Sequence, residues 1–217
     1  MEIRPGRIEE YIKDKSCIVC KSKQIGLITG NYHETNMHCE NCNSNWIDER
    51  SIISCKELSV RPGLYYAKGD ATNPSFGPSM VAHIVNDQGG WGAGFTGSIT
   101  RTYGTAPMEH YKRVHRSQAS VGIRHGFCSI WRGSFVQIMH MWAQRGYIST
   151  DNPHPLNMDD LDRCLNILFA QAKERELSVH MPKIGAGLGG GDWNEISAMI
   201  EKHRLHNEVP TFIYSLE

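Results

Sequence analysis

The sequence predicts an α/β domain, a sheet covered by helices on both faces, preceded by a small cysteine-rich module. Three observations carry this. From Leu64 to the end, short apolar runs alternate with amphipathic segments, the pattern of a sheet covered by helices on both faces. Four of the seven cysteines fall in two CxxC pairs before residue 43. Ten of the 21 glycines fall in 89–97 and 185–191, five in each, and both stretches follow a strand-like run.

The 217 residues suit one ordinary domain with an appendage, and 40% hydrophobic with 21% charged residues is a globular composition. The 23 basic and 23 acidic side chains balance, so the chain as a whole lacks the charge to capture nucleic acid strongly. No apolar run approaches a membrane span, and the segment MEIRPGRIEEYIKDK has no apolar stretch of the kind a secretory signal needs. A cytoplasmic protein without membrane contact is expected. Arg61-Pro62-Gly63 reads as a turn, which places the boundary between a module over 1–60 and a domain over 61–217.

In the second domain, strands are expected at 64–68 and 80–86, the latter almost continuously apolar as a buried strand should be. A helix is expected over 95–103, then strands over 120–131 and 134–142. Leu161, Cys164, Leu165, Leu168 and Ala172 keep helical spacing, with Asn157 as N-cap and Asp159 and Asp160 in the first turn. A strand over 177–183, a helix over 195–203 and a strand over 209–216 complete the alternation.

Cys17-Ile-Val-Cys20 and Cys39-Glu-Asn-Cys42 are separated by 18 residues. Two such knuckles let four thiolates converge on one tetrahedral Zn²⁺. So short and polar a segment buries too little surface to fold alone, and a metal supplies on the order of 10 kcal/mol. Four thiolates leave no open position, so a structural zinc in a zinc ribbon is expected. The ribbon either docks a protein or nucleic acid or only braces the second domain.

The two glycine loops, Asp87–Phe95 and Ile184–Asp192, lie between a strand and a helix. Glycine lets the main chain approach a ligand closely. Successive N–H groups ahead of a helix then make an anion nest, and a diphosphate held from both sides is the natural guest. Neither loop fits a dinucleotide fingerprint, and no Gly-Lys-Ser/Thr follows either one.

Gly69-Asp70-Ala71-Thr72, His83-Ile-Val-Asn86-Asp87, Trp91-Gly-Ala-Gly94-Phe95, Met181-Pro-Lys-Ile-Gly-Ala-Gly-Leu188 and Phe212-Ile-Tyr-Ser-Leu216, in this order, resemble a macro domain. The likeness covers about 64–217. It is strongest to the branch with ADP-ribose-1''-phosphate phosphatases and terminal ADP-ribose glycohydrolases. The resemblance implies a macro-type mixed sheet sandwiched between helices, with a cleft for ADP-ribose or another NAD-derived nucleotide. Asp70, with Ala71 beside it, would accept from the adenine amino group. Asn86 would meet a ribose hydroxyl, and Gly92, Ala93, Gly94 and Phe95 would face the distal ribose and diphosphate. Gly185, Ala186, Gly187, Leu188, Gly189 and Gly190 would wrap the diphosphate from the other side. Tyr214 is either a neighbour of the adenine or proximal ribose or a core tyrosine.

The glycohydrolase relatives carry a lysine on the helix after the first loop and an acidic residue after the Gly-Leu of the second. Here Thr100 and Arg101 occupy the lysine region and Gly189 follows Leu188. An arginine cannot form a Schiff base at neutral pH. Three residues remain as catalytic candidates. His83 is a nucleophile or acid/base, or a buried strand histidine. Asp87 positions water or shapes its loop, and Asp192 is a catalyst or a helix cap. The function expected is binding of ADP-ribose with hydrolysis of a phosphate ester such as ADP-ribose-1''-phosphate. The alternatives are a non-catalytic reader of ADP-ribosylated protein or nucleic acid and a sponge for an NAD-derived signalling nucleotide.

Overall fold

The computed structural model describes residues 62–74, 78–92, 94–133, 136–187 and 189–216, together with the backbone of 25–27, 37–39 and 45–46. In the N-terminal module, β1 (Ile25–Leu27), β2 (Met37–Cys39) and β3 (Asn45–Trp46) form an antiparallel sheet in that order. Cys39 stands opposite Ile25, and Met37 opposite Trp46. Of the four expected zinc ligands, Cys17, Cys20 and Cys42 lie outside the described residues.

The second domain is built on a six-stranded sheet of β4 (Leu64–Lys68), β5 (Ser79–Asn86), β6 (Cys128–Arg132), β7 (Val136–Gln144), β8 (Ser178–Pro182) and β9 (Thr211–Ser215), in the order β4-β9-β8-β5-β7-β6. All neighbours run parallel except β6, which is antiparallel to β7. Parallel pairs need crossover connections, and helices supply them. Helices α1 (Phe95–Tyr103) and α2 (Ala106–Ala119) lie between β5 and β6. Helix α3 (Met158–Glu174) lies between β7 and β8, and α4 (Trp193–Asn207) between β8 and β9.

The period-two alternation of β5 divides the helices between the faces. Met80 and Ala82 join Leu161, Leu165, Ile196 and Ile200 of α3 and α4 in one core. Val81 packs with Ile99 and Tyr103 of α1, and Val85 with Tyr111 of α2 and Trp142. Burial on both faces explains why this strand reads as an unbroken apolar run. The β5–β7 register shifts at Val85/Asn86, so the chain leaves the sheet where the first glycine loop begins. No helix among the described residues is long and apolar enough to cross a membrane.

Most elements fall where the sequence places them, and Asn157 caps α3 by accepting from Asp160 N at 2.9 Å. Two differ. Helix α2 has no counterpart among the expected elements, because only Pro107 and Tyr111 are buried in its 14 residues and such a thin apolar face leaves little periodic signal. The strand expected from residue 120 begins at Cys128. Asp160, expected as a first-turn charge, is fully buried, and Arg145 and Arg163 hold its carboxylate.

Candidate functional site

The first glycine loop is held by side chains. Asn86 Oδ1 accepts from Gln88 N at 2.9 Å and Gly90 N at 3.1 Å, while its Nδ2 donates to Gly90 O at 3.1 Å. Tyr111 Oη donates to Asn86 O at 2.8 Å. Asp87 Oδ1 accepts from Gly146 N at 2.7 Å and Gln88 Nε2 at 2.9 Å, and Oδ2 lies 3.1 Å from His125 Nε2. Burial pushes the Asp87 carboxyl up, but the bonds from Gln88, Gly146 and His125 outweigh it and hold the group below its ordinary range. Further along, Trp91 Nε1 donates to Thr100 Oγ1 at 2.8 Å and Gly92 N to Thr96 Oγ1 at 2.9 Å. Gly94, at φ 60°, turns the chain into α1.

The second loop is held chiefly by main-chain bonds, with one side chain on it, His154 Nδ1 at 2.7 Å from Gly190 O. Gly191 N donates to Gly185 O at 2.9 Å, Gly190 N to Gly187 O at 3.0 Å, and Leu156 N to Gly189 O at 3.1 Å. A Cβ on Gly189 would stand 2.7 Å from Gly185 O, and one on Gly190 2.5 Å from Pro153 O. Side chains at these positions would collide with main chain. Asp192 then caps α4, accepting from Asn194 N at 2.8 Å.

Because β5 and β8 are neighbours in the sheet, the two loops open on the same cleft. It has a volume of about 580 Å³ and lies at the carboxyl ends of β5, β8 and β7, where parallel sheets hold ligands. Glycines 90, 94, 185, 187 and 189 line it beside Trp91, Phe95, Thr96, Gln144, Tyr147 and Ile148. Among the described lining residues Lys183 is the only Lys or Arg, and there is no carboxylate. The N-terminus of α1 adds a partial positive charge.

Under the first loop lies a layer of imidazoles. His83 Nε2 is 2.6 Å from His140 Nδ1, and the His140 ring stacks on His110 at 5.6 Å. Trp91 meets His83 edge-on at 5.5 Å. Burial lowers the His83 pKa to about 3, against a small upward pull from the Ile84 backbone. Burial, then His83 and His110, lower His140 well below the ordinary range, and burial and Arg113 lower His110. These rings are neutral at pH 7.

A sequence model of the macro domain matches residues 82–200, more than half of the chain. The chain belongs to the macro domain family. A macrodomain protein from Streptomyces coelicolor is 30% identical, with a TM-score of 0.61 over 70% of this chain and 99% of that one. Chromodomain-helicase-DNA-binding protein 1-like from Mus musculus is 25% identical over 176 residues, 77% of this chain but 19% of that protein. The chain thus spans about a fifth of the length of the chromodomain-helicase relatives it matches. An ADP-ribose 1''-phosphate phosphatase from Meyerozyma guilliermondii is 25% identical over 166 residues, 65% of this chain and 94% of that protein.

Within the macro domain, Asn86, Gly94, Phe95, Gly185, Gly187 and Gly189 come together on the cleft lining. Gly92, Ala186 and Gly190 belong to the two loops without lining the cleft. Ala93 and Leu188 lie outside the described residues. Asp70, Ala71 and Tyr214 stand apart, toward the β4–β9 edge. Asp70 Oδ1 accepts from Thr72 N and Oγ1, both at 2.9 Å. Ala71 packs with Phe212 and Tyr214, and Tyr214 Oη lies 2.9 Å from His180 Nδ1.

The three catalytic candidates do not converge. His83 borders the cleft but is 2% exposed, under Trp91 and Phe95. Asp87 is not on the lining, and its carboxylate is committed to loop bonds. Asp192 is the exposed cap of α4. Thr100 and Arg101, in the lysine region of the relatives, hold Trp91 and Ser98 respectively. Sequence reasoning missed Lys183, Tyr147 and Ile148 as lining residues. A lysine directly before the second loop was a usable signal for the first. An apolar pair inside a polar loop was a weak one for the others.

Proposed function

We propose that this macro domain binds ADP-ribose, or an NAD-derived nucleotide containing it, with the diphosphate between the two glycine loops. The observation that carries the reading is the pair of loops on neighbouring parallel strands, facing one cleft with a lysine and no carboxylate in its described lining. Isothermal titration with ADP-ribose tests it. Saturable one-to-one heat is expected, and its absence would end the reading.

Hydrolysis of a phosphate ester such as ADP-ribose-1''-phosphate is a second reading, favoured by the likeness to the Meyerozyma phosphatase across 94% of that protein. Of the three catalytic candidates, His83 is the one that lines the cleft, 2% exposed and against Trp91. Phosphate release that is lost in His83→Ala supports this reading. Binding without release leaves the domain a reader or sponge of the intact nucleotide.

The N-terminal module is read as a zinc ribbon whose structural ion is held by Cys17, Cys20, Cys39 and Cys42, available to a protein or nucleic-acid target. Its support is the paired CxxC spacing and the three short strands, with Cys39 closing β2. Elemental analysis of the purified chain should give one zinc, lost in Cys39→Ala. A metal-free wild type contradicts it.

A further inference from the structure

We infer that the outer surface of helices α1 and α2 is a docking surface for double-stranded nucleic acid, held through its phosphates by Arg101, Lys112, Arg113, Arg116 and Arg124. None of the five lines the cleft, and their role does not depend on the ADP-ribose reading.

The net charge of zero conceals an uneven distribution. From Phe95 to Gly126 the chain carries five Lys or Arg and one carboxylate, Glu109, whereas from Met158 to Asn207 eight acidic residues outnumber six basic ones. The sheet keeps the two groups apart, because α1 and α2 pack on one of its faces and α3 and α4 on the other. The cations are also used differently. On α3 and α4, Arg163, Lys202 and Arg204 pair with Asp160, Asp162 and Glu201. On α1, α2 and the segment after them, Arg101, Arg113, Arg116 and Arg124 are exposed and Lys112 is half-buried. No carboxylate among the described residues pairs with any of these five. Glu109 Oε1 accepts instead from Thr105 Oγ1 at 2.7 Å.

Phosphate is the group this surface fits. The planar fork of a guanidinium meets two phosphate oxygens at once, and four of the five cations are arginines. Arg113 and Arg116, three residues apart, lie on one side of α2. At 14 residues that helix is about 21 Å long, enough to follow several phosphates of one duplex. An acidic protein fits less well. A protein interface has an apolar centre, and the apolar residues at the exposed positions of α2 are two alanines, Ala106 and Ala119. A single strand also fits less well, since it is held by stacking on exposed rings. Tyr103 and Tyr111 of these helices are buried, and Phe95 lines the cleft. The surface therefore reads backbone charge and not base sequence. A duplex bound there runs beside the first glycine loop, to which Tyr111 and His115 of α2 are bonded.

The test is fluorescence anisotropy of the full chain with a labelled DNA duplex of about 20 base pairs and with one of its strands alone. Micromolar affinity for the duplex at about 50 mM salt is expected, falling on the order of a hundredfold by about 200 mM. Arg113→Gln, Arg116→Gln and Arg124→Gln combined should lower duplex affinity roughly tenfold or more and flatten the log–log salt slope by about one per arginine. Arg113→Lys, Arg116→Lys and Arg124→Lys combined should keep most of the binding. Lys173→Gln with Lys202→Gln, on the α3 and α4 face, should keep the wild-type affinity within about twofold. A wild type that does not bind the duplex, an affinity insensitive to salt, or tighter binding of the single strand overturns the surface. So does a triple glutamine variant that binds like the wild type. Each of these results leaves the ADP-ribose reading to its own titration.

Discussion

The two glycine loops do the same job by different means. The first, from Asn86 to Gly94, is fixed by polar side chains reaching in from the loop, α1 and α2: Asn86, Asp87, Thr96, Thr100 and Tyr111. The second, from Gly185 to Gly191, is fixed chiefly by main-chain bonds from Gly190, Gly191 and Leu156, with the His154 ring on Gly190 O, and by the lack of room for a Cβ at Gly189 and Gly190. A loop braced by side chains tolerates local change, since each brace contributes on the order of 1 kcal/mol. A loop packed backbone on backbone has no soft neighbour to yield.

The largest expected effect separates the loops by pH. His83 and His140 underlie the first loop, with His110, Arg113 and His115 of α2 facing them. A histidine whose folded pKa is depressed contributes stability that is complete above its unfolded value of about 6.5 and is lost as pH falls below it. His83 and His180, each lowered by burial to about 3, keep drawing stability down over that whole interval. Melting temperature should therefore fall steadily from about pH 6.5. Amide exchange should accelerate in the first loop before the second, and simultaneous loss would break the contrast.

Next in size is glycine replacement. Gly190→Ala sets a Cβ 2.5 Å from Pro153 O at φ 68° and should cost about 3 kcal/mol of stability in denaturant titration. Gly92→Ala, at φ 112° with nothing within 4 Å of a Cβ, carries backbone strain alone, about 1–2 kcal/mol. Equal costs would remove the distinction. Asn86→Ala leaves two loop N–H groups without their acceptor and should cost about 1–2 kcal/mol. Thr100→Val, which frees Trp91 Nε1, should be smallest, about 1 kcal/mol or less, with a few-fold weaker ADP-ribose binding.

The same contrast explains what was legible in the sequence. The sheet was, because β5 and β7 are buried on both faces and show it as apolar runs. The second loop was, because five glycines in seven residues lose much backbone entropy on folding and are kept only where the main chain must pack closely. Helix α2 was not, since two buried residues in 14 leave no stripe. The roles of His83 and Asp87 were not, because a catalytic and a bracing residue share one residue type. The His140 ring beside His83 and the Gly146 amide on Asp87, 57 and 59 positions along the chain, come into view only in the fold.

If two loops grip one diphosphate, amide chemical-shift mapping during titration with ADP-ribose is the most direct way to see it. The amides of Gly92 and Gly94 and those of Gly187 and Gly189 should shift together along one binding curve. Shifts confined to one loop, or two curves with different midpoints, would contradict the shared grip.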